Sequence, residues 1–129
     1  MALTETSREA CTAALDDLMR RCEGVSAVML AFRDGRPYVD RMRDASARGK
    51  FAAMSSSLVA LGQSVLREVA AGSLDHVLVE GSDGKFVVSS IPGSGGLLII
   101  AVLAQRDARL GLVLGHAKTC SLAVAAAIS

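Results

Sequence analysis

Residues 93–107 read GSGGLLIIAVLAQRD. Eight consecutive apolar residues, Leu97 to Ala104, lie between a glycine-rich loop and the polar Gln105-Arg106-Asp107. Three structures could hold such a run: a membrane segment, a buried helix, or a strand covered on both faces. A bilayer takes roughly 18–20 apolar residues, so the run is too short to span one. It is also short for a buried helix, and Ile99, Ile100 and Val102 are β-branched. The run therefore predicts a central strand with helices packed on both of its faces.

The flanking sequence fits that picture. Thr6-Ser7-Arg8-Glu9 has the form of a capping box, and Cys11, Ala14, Leu15, Leu18, Met19 and Cys22 follow at helical spacing, with Gly24 as a stop. This predicts a first helix over about 4–23. Residues 25–42 then alternate: Val28, Leu30 and Phe32 on one face, Ala27, Met29 and Ala31 on the other. Asp34-Gly35 supplies the two positive-φ positions of a tight hairpin turn. Pro37 places the next strand, about 36–42, at a sheet edge, because it cannot donate a ladder hydrogen bond.

The longest helical pattern is 46–72, with Phe51, Met54, Leu58, Leu61, Val65 and Val69 as one stripe and Gly72 as the residue past its end. Ala52, Val59, Ala60 and Leu66 add apolar surface on other sides. One stripe can cover the chain's own sheet, and the remainder requires another partner. Residues 75–91 form two strands around Asp83-Gly84, and a last helix is expected over about 109–128. The order is α-β-β-α-β-β-β-α, an α/β sandwich of the α+β kind, with an antiparallel sheet between helical layers. Strands 1 and 5 are central.

At 129 residues the chain is read as one domain, 1–129. A net charge of +1 with interspersed signs lacks the clustered basic face that nucleic acid requires, and no membrane span is expected. The start, MALTETSREA, is polar and has no secretory pattern. Cys11 and Cys22 on one helix would stand about 16 Å apart, too far for a disulfide. With Cys120 they are read as reduced core thiols of a cytoplasmic protein.

Catalytic patterns are missing. His76 and His116 lack metal-ligand spacing, and there is no C-x-x-C pair. Gly84-Lys85 has Val79 where a phosphate-binding loop needs its first glycine, and Phe86 in place of Ser or Thr. The loop at 92–96, PGSGG, precedes no helix and reads as a flexible connector. Ser55, Ser56 and Ser57 lack a nucleophile-elbow context, and leave a flat helix surface. Between Arg33 and Lys50 six basic side chains are interleaved with Asp34, Asp40 and Asp44, which reads as a solvated hairpin and linker or as a contact surface for an acidic patch. No enzyme, metal or cofactor is expected.

Taken together, FRDGRPYVDR, the A-x-M-x-x-S-L-x-x-L-G pattern of Ala52, Met54, Ser57, Leu58, Leu61 and Gly62, the V-x-V-E strand with its D-G turn, the apolar strand and Leu110-Gly111 resemble the Roadblock/light-chain-seven superfamily, from Val25 to the last helix. Gly115 and the serine-rich helix 2 depart from its pattern. The resemblance implies a non-enzymatic dimerising module of prokaryotic type that regulates or scaffolds a small Ras-like GTPase. It also implies the sheet order 2-1-5-4-3 and a homodimer paired through helix 2 and strand 3. Met54, Leu58, Leu61, Val77 and Val79 would then form the dimer interface. The solvent side of the helix pair would carry Arg48, Lys50, Ser56, Gln63 and Arg67 as a partner surface. Two other readings stay open: an adaptor in a signalling or motility complex without a GTPase, and a small-molecule-binding regulatory domain using the cleft near PGSGG.

Overall fold

Strand β5, Leu98–Gln105, lies in the middle of the sheet and is buried on both faces. The computed structural model describes residues 1–129. Around β5 stand α1 (Glu5–Arg21), β1 (Val25–Phe32), β2 (Pro37–Arg41), α2 (Arg48–Glu68), β3 (Val77–Glu80), β4 (Gly84–Ser90) and α3 (Leu110–Ile128). The five strands are antiparallel in the order β2-β1-β5-β4-β3. β2 is an edge, as Pro37 requires.

The alternation along β5 feeds two cores of unequal size. Leu98, Ile100, Val102 and Ala104 join a cluster of 19 buried residues under α1 and α3. Ile99 and Ala101 join only 7 under α2. The α2 layer is thin because its inward residues are small: Ala52, Ser55 and Val59. This corrects the expected stripe. Phe51 and Leu58 pack at its margin, while Met54, Leu61, Val65 and Val69 face away from the sheet.

The local signals were displaced by a residue or two. α1 is capped by Thr4, not Thr6: Thr4 Oγ1 accepts from the Ser7 N–H at 3.1 Å, and Ser7 Oγ donates to Thr4 O at 2.9 Å. At the first hairpin only Gly35 has positive φ. Gly35 N–H donates to Phe32 O and Phe32 N–H to Arg36 O, a type I turn followed by a bulged glycine rather than the mirror-image turn. The α2 end is a Schellman motif with Ala70, not Gly72, in the left-handed position at φ 53°. Ala71 N–H donates to Leu66 O and Ala70 N–H to Arg67 O. The PGSGG loop is tied down by Ser94, whose Oγ donates to Ile91 O at 2.8 Å and accepts from the Leu98 N–H.

α3 is long and apolar enough to cross a membrane by length and composition, which the length of the β5 run alone did not reveal. One face of it, Val113, Ala117, Cys120, Val124 and Ile128, is committed to the larger core.

The left-handed alanine costs about 1 kcal/mol relative to glycine. Ala70→Gly is therefore expected to raise the unfolding free energy by about that amount. Gly24→Ala should lower it by more than about 1 kcal/mol, because Gly24 has φ 92° and a methyl there would lie 2.8 Å from Ala108 Cβ. Urea unfolding of both variants checks the pair.

Candidate functional site

The outward residues of α2 and the free edge of β3 form one surface. Met54, Leu61, Val65 and Val69 are 53–64% exposed, an apolar stripe without a cover. Gly62 sets where the stripe lies. A β-carbon there would stand 2.9 Å from Val77 Cγ2 and 3.2 Å from Leu74 Cδ1, so glycine lets α2 settle onto β3. The stripe thus runs along the β3 flank. Val77 and Val79 are on the α2 side of β3, and Val79 is 45% exposed; Leu78 packs on the opposite side against the larger core.

Antiparallel pairs alternate between bonded and non-bonded positions. Gly81 N–H donates to Gly84 O, so the Val79–Phe86 and Val77–Val88 pairs are the bonded ones within the β3–β4 ladder. The amides of Leu78 and Glu80 therefore point outward, along an edge with nothing beside it. An edge of unpaired backbone donors is a template for pairing with another strand, and here it lies next to an apolar helix stripe.

The five polar residues expected as a partner surface differ in their contacts within the chain. Lys50 and Arg67 are exposed and unpaired. Arg48 is instead held by Asp40, Nε to Oδ2 2.5 Å, and the Asp40 side chain is only 8% exposed. Ser56 donates to the Arg33 carbonyl. Gln63 Oε1 accepts from Arg33 Nη2 at 2.6 Å. Ser56 and Gln63 thus dock the β1–β2 hairpin on α2, and Arg33 N–H also donates to Leu97 O. The partners of all three lie far off in sequence or across a turn, which helical spacing cannot show. Val65 and Val69, absent from the expected interface, were already visible as members of the same heptad-like row.

The rest of the chain offers little for catalysis. Burial pushes the Cys11 and Cys22 thiols up, and burial followed by neighbouring Cys11 and Asp17 pushes Cys120 up to about 12. These are inert core thiols, without thiolate to react. Ser55 Oγ donates to Phe51 O at 2.7 Å inside the core. Charged groups elsewhere pair at the surface: Arg41 grips Asp16 by two bonds and holds its carboxyl below the ordinary range, and Arg36 does the same for Asp34. No three His, Cys, Asp or Glu side chains gather as a metal site.

A family model described as the Roadblock/LC7 domain matches residues 12–104. The chain belongs to the Roadblock/LC7 family. Solved Roadblock relatives share its fold. A Roadblock/LC7 domain from Streptomyces avermitilis is 24% identical, with 88% of this chain and 92% of that one covered, at a TM-score of 0.79. The gliding protein MglB of Thermus thermophilus is 17% identical over 99% and 95%, at 0.85. MglB in a tetrameric arrangement is 17% identical over 99% and 94%, at 0.86. No curated protein sequence matches this Roadblock chain.

Two outcomes follow. Arg48→Glu should destabilise the fold by about 1–2 kcal/mol, since it sets a second carboxylate against that of Asp40, whereas Lys50→Glu should change stability by less than about 0.5 kcal/mol. Thermal unfolding of the two variants distinguishes them. None of the three buried thiols should react with a disulfide reagent in the native protein at pH 8, and all should react in denaturant.

Proposed function

We propose that this Roadblock protein is a non-enzymatic homodimer that regulates or scaffolds a small Ras-like GTPase in the cytoplasm. The observation that carries the reading is the uncovered stripe of Met54, Leu61 and Val65 running beside the open β3 edge. A two-fold axis through that flank would join β3 to its symmetry mate and lay the two α2 helices together, covering the stripe and the Leu78 and Glu80 amides at once. Leu58, Val77 and Val79 would fill the seam. The relative described as MglB in a tetrameric arrangement supports self-association as a property of this fold.

Family members are regulatory modules rather than enzymes. The chain lacks a phosphate-binding loop, so on this reading it acts on a GTPase rather than as one. The paired helices would offer a solvent face wider than one subunit, with Lys50 and Arg67 as its free cations. Electrostatic contacts of this kind set partner choice and association rate.

Light scattering at micromolar concentration should give twice the 13.3 kDa chain mass. Leu61→Asp removes about 2 kcal/mol of burial from each subunit, roughly a thousandfold in the dimer constant for the pair. Glu80→Pro should weaken the dimer while sparing the β3–β4 ladder, whereas Val79→Pro breaks that ladder itself. A wild-type monomer would overturn the dimer. For the partner, calorimetry uses a Ras-like GTPase encoded beside the protein and loaded with a GTP analogue. Lys50→Glu with Arg67→Glu should weaken binding about tenfold and leave the dimer mass unchanged. Absence of binding by the wild type overturns the GTPase reading, and unchanged affinity in the variant overturns the assigned face.

A further inference from the structure

Four polar residues are buried in this chain, and all are serines: Ser7, Ser55, Ser94 and Ser121. The first three have partners within the chain. Ser121, 5% exposed, has none within the chain, its hydroxyl being open to the cleft that it lines, whereas the fully enclosed hydroxyl without a partner is that of Tyr38 on β2. A helical serine ordinarily turns its hydroxyl onto the carbonyl one turn back, and Thr119 on the same helix does so, donating to Gly115 O at 3.1 Å. Ser121 instead lines a cleft of about 470 Å³ between α3 and the β3–β4 side of the sheet. That volume lies in the range of small-molecule sites.

The cleft exists because α1 and α3 leave this part of the larger sheet face uncovered. Its other polar walls are equally unused. Lys118 is the one lysine or arginine of α3, and all five ion pairs of the chain are made by arginines elsewhere. Asp75 enters from the segment before β3 and is likewise unpaired, although it lines the same cleft as Lys118. Ser89 of β4 adds a second hydroxyl without a partner, and Leu114 with Pro92 supplies apolar wall. Opposite charges that share a cleft without meeting call for a ligand that carries both signs. The apolar wall calls for a hydrocarbon part.

We propose that this cleft binds a small zwitterion of the α-amino-acid type. Its carboxylate faces Lys118 and Ser121, its ammonium group faces Asp75, and its side chain lies against Leu114. The site is on the opposite side of the sheet from the α2 surface and does not depend on the dimer or GTPase reading.

The test is an NMR titration of the intact ¹⁵N-labelled chain with L-leucine, with 4-methylvalerate, which lacks the amine, and with isoamylamine, which lacks the carboxylate. Leucine should give saturable shifts confined to the cleft residues, and each truncated probe should bind about tenfold more weakly or worse. Lys118→Gln and Asp75→Asn, both exposed and expected to leave the spectrum otherwise native, should each weaken leucine by a similar factor. Ser121→Ala should weaken leucine and 4-methylvalerate but not isoamylamine. Absence of saturable leucine shifts, leucine affinity unchanged in the two charge variants, or 4-methylvalerate binding as tightly as leucine would overturn the proposal.

Discussion

Strand β5 has no side that can face water, and the rest of the fold answers that demand. Ile99 and Ala101 point one way, Leu98, Ile100 and Val102 the other, so helices must lie on both faces. Two helices share the larger face and a single helix serves the smaller one. α2 meets its face with Ala52, Ser55 and Val59, which brings the backbone close and leaves the larger apolar side chains of the same helix outside. Covering the core from within one chain thus leaves an apolar surface on the outside of α2.

The layer order and the strand count were legible in the sequence because they rest on periodicity, which survives a shift of one or two residues. The faces of α2 were not. A helix apolar around much of its circumference has two ways to sit, and the choice was made by Gly62, whose missing side chain admits Val77 and Leu74 from elsewhere in the chain. Terminal signals failed for a related reason. Thr4 and Thr6 are both competent caps, and only the Ser7 amide decides between them. The left-handed position after α2 falls on Ala70, although a glycine stands two residues on.

Among the candidate residues, the exposure of the apolar ones is easier to read from the sequence than the contacts of the polar ones. Met54, Leu61 and Val79 stand exposed where a seam would need them. For Arg48, Ser56 and Gln63, helical spacing shows which side of the helix each occupies but not which distant segment meets it there. Those segments supply Asp40, on β2, and Arg33, in the β1–β2 turn. Ser121 was invisible to sequence reading, since an alanine-rich helix gives no sign that one serine lacks an acceptor.

In the proposed homodimer the β3 edge is closed by a second copy in solution. Hydrogen exchange at the Leu78 and Glu80 amides addresses it most directly, because no group within the chain can protect them, while the Val77 and Val79 amides are protected by β4 alone. Slow exchange at Leu78 and Glu80, lost on dilution while Val77 and Val79 stay protected, is the result this account predicts. Exchange at the rate of an unstructured chain at Leu78 and Glu80, at every protein concentration, would contradict it.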